Sequence, residues 1–133
     1  MIQPFTKSMQ TGGSRFLRKA KRLAEQKARE REVHQQVDTR DRLCCRVCGH
    51  YSSPMAVGVL ERSHRHHLVY RSAGGETTTA NLLTLCAKCH SGVHEATLRL
   101  EGNADLRAAE SGKLSGVKVE RLTETGWKIE RWV

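Results

Sequence analysis

The sequence predicts an α+β fold, with a basic helical arm, a small central core of short strands around one helix, and a C-terminal β-hairpin. Three patterns in the 133 residues carry this expectation. A run of strong helix formers fills residues 15–37. Two Cys-x-x-Cys pairs bracket short strand-like runs between residues 43 and 98. Apolar residues alternate with charged ones near the C-terminus, at Val117 and Val119 and again at Trp127 and Ile129. Length allows one domain plus appendages.

Residues 1–13 are polar, lack periodicity and end on Gly12-Gly13, so they are expected to be mobile. Ser14 then offers an N-cap. From residue 15 the helical run spaces Phe16, Ala20, Leu23, Ala24 and Ala28 as one narrow apolar stripe, with Lys, Arg, Glu and Gln on the other faces. Such a helix either packs its stripe on the core or tracks phosphates with its charges, and both are compatible with the pattern. Of the net charge of +9, residues 1–42 carry +6, from 11 Lys+Arg against 5 Asp+Glu. The basic excess therefore sits in the arm, pointing to a polyanionic partner.

Residues 43–98 form the chemical centre, with all five cysteines and six of the seven histidines. Residues 57–62 and 66–70 read as strands, Gly74-Gly75 with Thr77-Thr78-Thr79 as a loop, residues 81–85 as a short apolar segment, and residues 86–98 as a helix with Val93 and Leu98 facing the core. Beyond it, residues 99–133 read as a β extension, a hairpin turning at Glu124-Thr125-Gly126 and laid over the core. Aromatics are only 5% of the chain and mean hydropathy is −0.58, so apolar burial is thin and a further stabilising element is expected. No apolar run approaches the ~20 residues needed to span a bilayer, and the N-terminus has no signal-peptide core, so a soluble, cytoplasmic protein without a membrane partner is expected.

In a reducing compartment, paired cysteines are read as metal ligands before disulfides, and an odd total of five fits a disulfide framework poorly. Cys45-Arg46-Val47-Cys48 and Cys86-Ala87-Lys88-Cys89 supply four thiolates, which make a closed tetrahedral site suited to a structural zinc ion. Cys45 gives the required spacing to Cys48, which makes Cys44 the bystander, with the reverse assignment left open.

His90 and His94 stand at i and i+4, so on a helix they project from one face and can grip one ion together. His66 and His67 are adjacent on a strand and point to opposite faces, so they cannot share a role. One can reach an ion from the side facing the helix and the other a neighbouring water. Three imidazoles from His66, His90 and His94 leave open coordination positions, the pattern of a catalytic ion.

Arg40-Asp41, Cys45-x-x-Cys48-Gly49, His66-His67, Gly74-Gly75, Asn81-Leu82-Leu83-x-Leu85-Cys86-x-x-Cys89-His90 and His94 together resemble the HNH endonuclease family in its zinc-stabilised form, especially small proteins of phages and other mobile elements. The resemblance covers roughly residues 40–98. It implies a ββα-metal core, treble-clef-like, in which a two-stranded hairpin and a helix enclose one divalent ion. It further implies His66 and His90 as ligands, His67 as general base and Asn81 as the loop residue that keeps the base oriented. His94 would be a third ligand, as in the histidine-rich branch of the family, while His64 matches no family position.

The implied activity is metal-dependent hydrolysis of DNA phosphodiester bonds in a bacterial or phage-infected cell. Imidazole ligands favour Zn, Ni, Co or Mn over Mg as the catalytic ion. Arg62 and Arg65 beside the site, and Lys19 and Arg22 on the arm, would contact phosphates without reading sequence. RNA as the substrate, or a toxin-like nonspecific nuclease, is also compatible with these residues. The rival class is a non-catalytic zinc-finger module binding DNA or protein, which has no use for a second ion.

Overall fold

The computed structural model describes residues 7–53, 58, 62–107 and 116–133, with backbone alone for residues 7–12. The chain divides into two compact units, residues 1–32 and 33–133.

Helix α1 (Lys7–Asp41) is longer at both ends than the sequence suggests. Gly12 and Gly13 lie inside it, so the expected mobile stretch is helical from Lys7, and residues 1–6 lie outside the described residues. Each glycine costs about 1 kcal/mol relative to alanine. The Arg-, Lys-, Leu- and Ala-rich run behind them sustains the helix once nucleated. Ser14 is therefore interior and no N-cap, and its carbonyl accepts a hydrogen bond from Arg18 Nε at 3.2 Å. Phe16, Ala20, Leu23, Ala24 and Ala28 are all exposed. Phe16 is 72% and Leu23 51% exposed, so within its own unit the stripe has no packing partner among the described residues.

The last turns of α1 lie in the second unit, where Val37 and Asp41 are buried. The helix stops where Arg42 and Leu43 take left-handed conformations, at φ 53° and 57°. There the Leu43 amide donates back to the Asp38 carbonyl at 3.2 Å. Asp41 anchors this end. Its carboxylate accepts from Arg40 Nε at 2.8 Å and Nη2 at 3.0 Å, from Arg46 Nη1 at 3.2 Å, and from the Thr84 amide at 2.9 Å. Arg40 also donates to the carbonyls of Thr79 and Leu82, both at 2.7 Å. The end of α1, the Cys45–Cys48 turn and the stretch 79–84 are thus tied by one set of charge-assisted bonds.

Strands β1 (His64–His67) and β2 (Leu82–Leu85) pair antiparallel, with His66 opposite Leu83 and His67 opposite Leu82, and helix α2 (Ala87–His94) follows at once. Every residue of β2 is buried, which suits its three leucines around Thr84. β1 starts and stops earlier than the expected 66–70. From Leu68 the pairing passes to Asn81, whose carbonyl accepts the Leu68 amide at 2.8 Å and whose side-chain Oδ1 accepts the Val69 amide at 2.8 Å. The expected strand at 57–62 falls on residues of which only Gly58 and Arg62 are described, Arg62 in a bend.

The helix expected over 86–98 ends at His94 because Ala96 turns left-handed, at φ 56°. Leu98 faces the core at 2% exposure as expected, but from a strand. That strand, β3 (Leu98–Gly102), forms an antiparallel sheet in the order β3-β4-β5 with β4 (Val117–Thr123) and β5 (Gly126–Trp132). The expected C-terminal hairpin is therefore present with a third strand added. Leu98, Val117 and Val119 pack with Val47, Leu83 and Leu85 around Cys45, Cys86 and Cys89. Among the described residues, no helix is long and apolar enough to cross a membrane.

Candidate metal centre and active site

The first cysteine pair is held by a tight turn. The Cys45 amide donates to the His50 carbonyl and the Gly49 amide to the Cys45 carbonyl, both at 2.8 Å, and Gly49 takes φ 77°, which suits a residue without Cβ. The second pair opens α2. Cys86 is its N-cap, with Sγ accepting from the Cys89 amide at 3.5 Å. The sulfurs of Cys45, Cys48, Cys86 and Cys89 all lie within 4.8 Å of one another, and none is in a disulfide. Cys44 is outside this group and donates to the Arg42 carbonyl.

Four sulfurs ~2.3 Å from a central ion form a tetrahedron with edges of about 3.8 Å. Cys48 Sγ and Cys86 Sγ are 3.6 Å apart, so the donor set fits zinc in size as well as softness. Its electrostatics point the same way. Burial, reinforced by the neighbouring Cys45 and Cys86 sulfurs, pushes the Cys89 thiol far up, and burial also raises Cys45. Burial acts on Cys48 as well, but the His50 backbone amide and the adjacent thiols outweigh it and hold Cys48 below the usual thiol value. The Cys45 and Cys89 thiols resist ionising alone, whereas a shared dication stabilises thiolates together.

Across β1 lies a second donor cluster. His66 faces α2 at 5% exposure, and its ligand nitrogen lies within 4.8 Å of those of His90 and His94. His90 Nε2 and His94 Nε2 are 3.2 Å apart. Imidazole nitrogens ~2.0–2.1 Å from one ion sit about 2.8–3.0 Å apart at octahedral and about 3.3–3.4 Å at tetrahedral angles, so this spacing fits a shared ion. Burial, with smaller contributions from the His90, His94 and His67 rings, lowers the His66 pKa to about 4. His90 is lowered as well, by burial first and then by His64 and His94. Both rings are thereby kept in the neutral form that ligates metal.

His67, the next residue of β1, reaches a different set of partners. Its Nε2 is 3.1 Å from Thr77 Oγ1, which accepts from Arg71 Nη2 at 2.9 Å, and Arg71 Nε approaches the same ring nitrogen at 3.4 Å. The loop carrying Arg71 and Thr77 is stitched by Asn81, whose Nδ2 donates to the Val69 carbonyl at 3.0 Å and the Glu76 carbonyl at 2.9 Å. Gly75 is required there, because a Cβ would lie 1.9 Å from the Val69 carbonyl oxygen. Asn81 thus fixes the loop that presses Thr77 against His67.

The structure brings together all the histidines singled out in the sequence and adds Arg71, Thr77, Tyr70 and His64, which sequence reasoning passed over. Tyr70 stands edge-on to His66 at 5.6 Å. His64 alone carried a usable signal, since strand alternation puts it on the same face as His66. Arg65, also expected on phosphate, forks onto Asp38, with Nε to Oδ1 at 2.8 Å, and its side chain stays 31% exposed. Arg62, Lys19 and Arg22 are exposed.

The profile of the HNH endonuclease family matches residues 45–96, the segment from the first knuckle to the end of α2. The chain is 30% identical over 71 residues to a protein of Nostoc sp. named Anaredoxin, a span covering 53% of this chain and 83% of that protein. No solved structure matches the chain.

Proposed function

The chain belongs to the HNH endonuclease family, and from that premise we propose that it hydrolyses DNA phosphodiester bonds, with His67 as general base and His66, His90 and His94 holding one exchangeable divalent ion. The observation that carries this is the division of labour along β1. One residue, His66, joins two helical imidazoles in a metal-sized cluster, and the next, His67, is held by Thr77 and Arg71. A bound ion there supplies neutralisation of charge on the phosphate and on the leaving oxygen. His67 takes the proton from the attacking water, which requires the neutral ring. Thr77 fixes the ring plane, and Arg71, beside the base on an exposed turn, is placed to receive a phosphate oxygen. The four cysteines hold a structural zinc that keeps α2, and with it His90 and His94, in register with β1.

The test is plasmid nicking across a panel of Zn, Ni, Co, Mn and Mg. His67→Ala should keep the fold, the zinc and the exchangeable ion yet lose cleavage by roughly 10²–10⁴-fold, the usual contribution of a general base. His90→Ala should weaken the ion itself, so part of its activity should return at high metal concentration, whereas His67→Ala should not respond to added metal. Wild-type cleavage by folded His67→Ala would refute the mechanism in favour of a non-catalytic zinc module.

A further inference from the structure

His64 has no assigned part in the site just described, yet it makes the tightest ring contact in it. The alternation of β1 places His64 and His66 on one face. His64 pairs across the sheet with Leu85, next to Cys86, where α2 begins. Its imidazole lies flat on that of His90, with ring centroids 4.3 Å apart and planes only 10° from parallel. The other ring contacts of His90 are steeply inclined, at 79° to His66 and 70° to His94.

This geometry separates His64 from the ligands. A ring nitrogen offers its lone pair in the plane of the ring, so two parallel stacked imidazoles aim along separate parallel planes and do not converge on one ion. His64 accordingly falls outside the group of three whose ligand atoms lie within 4.8 Å of one another. Parallel stacking instead fixes the tilt of the neighbouring ring. His90 benefits because it is only half-buried, on a helix of eight residues, and its ring would otherwise turn about its side-chain torsions.

We propose that His64 is a positioning residue for the exchangeable ion, its ring forming a wall that holds His90 in the plane that aims Nε2 at the point shared with His66 and His94. The proposal rests on the reading of those three imidazoles as the ion site. Partners of this kind, one shell out from the metal, typically change metal affinity by ~10–100-fold.

The experiment uses the full chain with its structural zinc in place and the second site cleared by mild chelation. Co2+ is titrated in, followed by calorimetry and by the visible absorption of the bound ion. His64→Ala should weaken Co2+ binding by about tenfold or more, with zinc content and thermal unfolding unchanged. His64→Phe, which keeps a flat ring but has no nitrogen, should bind Co2+ close to wild type, and His64→Leu, of similar bulk without a ring plane, should resemble His64→Ala. If His64→Ala fails to fold, the comparison of Phe with Leu decides the matter. Wild-type affinity in His64→Ala or His64→Leu would overturn the proposal, as would a His64→Phe as weak as the alanine variant, because the nitrogen would then be what matters. His90→Ala separates this from failure of the site itself. Should His90→Ala bind Co2+ as wild type does, the three-imidazole reading falls and the proposal with it; should it lose binding while His64→Ala does not, only the proposal falls.

Discussion

Replacing Asp41 by asparagine should be among the most damaging isosteric changes available in this chain, and its cost follows from the partners left behind. The carboxylate is fully buried, while the Arg46 and Arg40 side chains it neutralises are 4% and 19% exposed. Asparagine keeps one oxygen for the Thr84 amide but removes the charge, and its NH2 group meets guanidinium N–H groups donor against donor. Removing one partner of a buried pair costs about 3–5 kcal/mol. The lower figure applies, because Arg40 keeps the carbonyls of Thr79 and Leu82 and Arg46 keeps that of Ala104 at 2.9 Å.

At roughly 4 °C per kcal/mol for a folded unit of this size, the midpoint of thermal unfolding should fall by about 12 °C, measured at pH 7 with zinc present. The pH dependence has a definite sign. Burial alone would raise the pKa of Asp41, but the Arg40 fork and the Thr84 amide outweigh it and hold the carboxyl below its ordinary value of 3.8. A group depressed in the folded state adds stability that is fully present above its unfolded pKa and is lost as pH falls through its folded value. The gap between wild type and Asp41→Asn should therefore stay constant from pH 8 to about pH 5 and shrink only below about pH 4. A midpoint within about 2 °C of wild type at pH 7, or a gap that vanishes by pH 6, would refute the reasoning.

Metal analysis after mild chelation should leave about one zinc per chain, since a four-thiolate site is closed and contributes directly to folding; a folded chain stripped of all zinc would count against the four-cysteine site. Cys89→Ser should lose that zinc and with it the cooperative unfolding transition. Deleting residues 1–32, which carry 9 of the 23 Lys+Arg, should weaken DNA binding and flatten its salt dependence as fewer counterions are released, with cleavage retained at high enzyme concentration. Unchanged affinity and salt slope after that truncation would remove the arm from the nucleic-acid interface.

The sequence by itself picked out the residues of both donor clusters. Two correctly spaced cysteine pairs, an i, i+4 histidine pair and adjacent strand histidines are local patterns, and local spacing on a helix, strand or tight turn dictates which atoms can converge. Cys45 could be chosen over Cys44 for the same reason, because the x-x spacing is what a tight turn can close. The tertiary structure decided matters of competition between distant partners. Nothing local in the sequence pairs Arg65 with Asp38, 27 residues earlier, yet the fold joins them. Residues 95–97 read as helix until the left-handed Ala96 turns the chain and Leu98 pairs in a sheet with Arg121. Thr77 is one of three consecutive threonines, and only the Asn81 stitching of its loop sets it beside His67. His64 looks like a surplus histidine in the sequence, because its partner His90 reaches it only when α2 packs back on β1. Side-chain spacing along one element is fixed by backbone geometry, whereas the pairing of one element with another depends on which of many long-range contacts wins, and that is set by the whole packed chain.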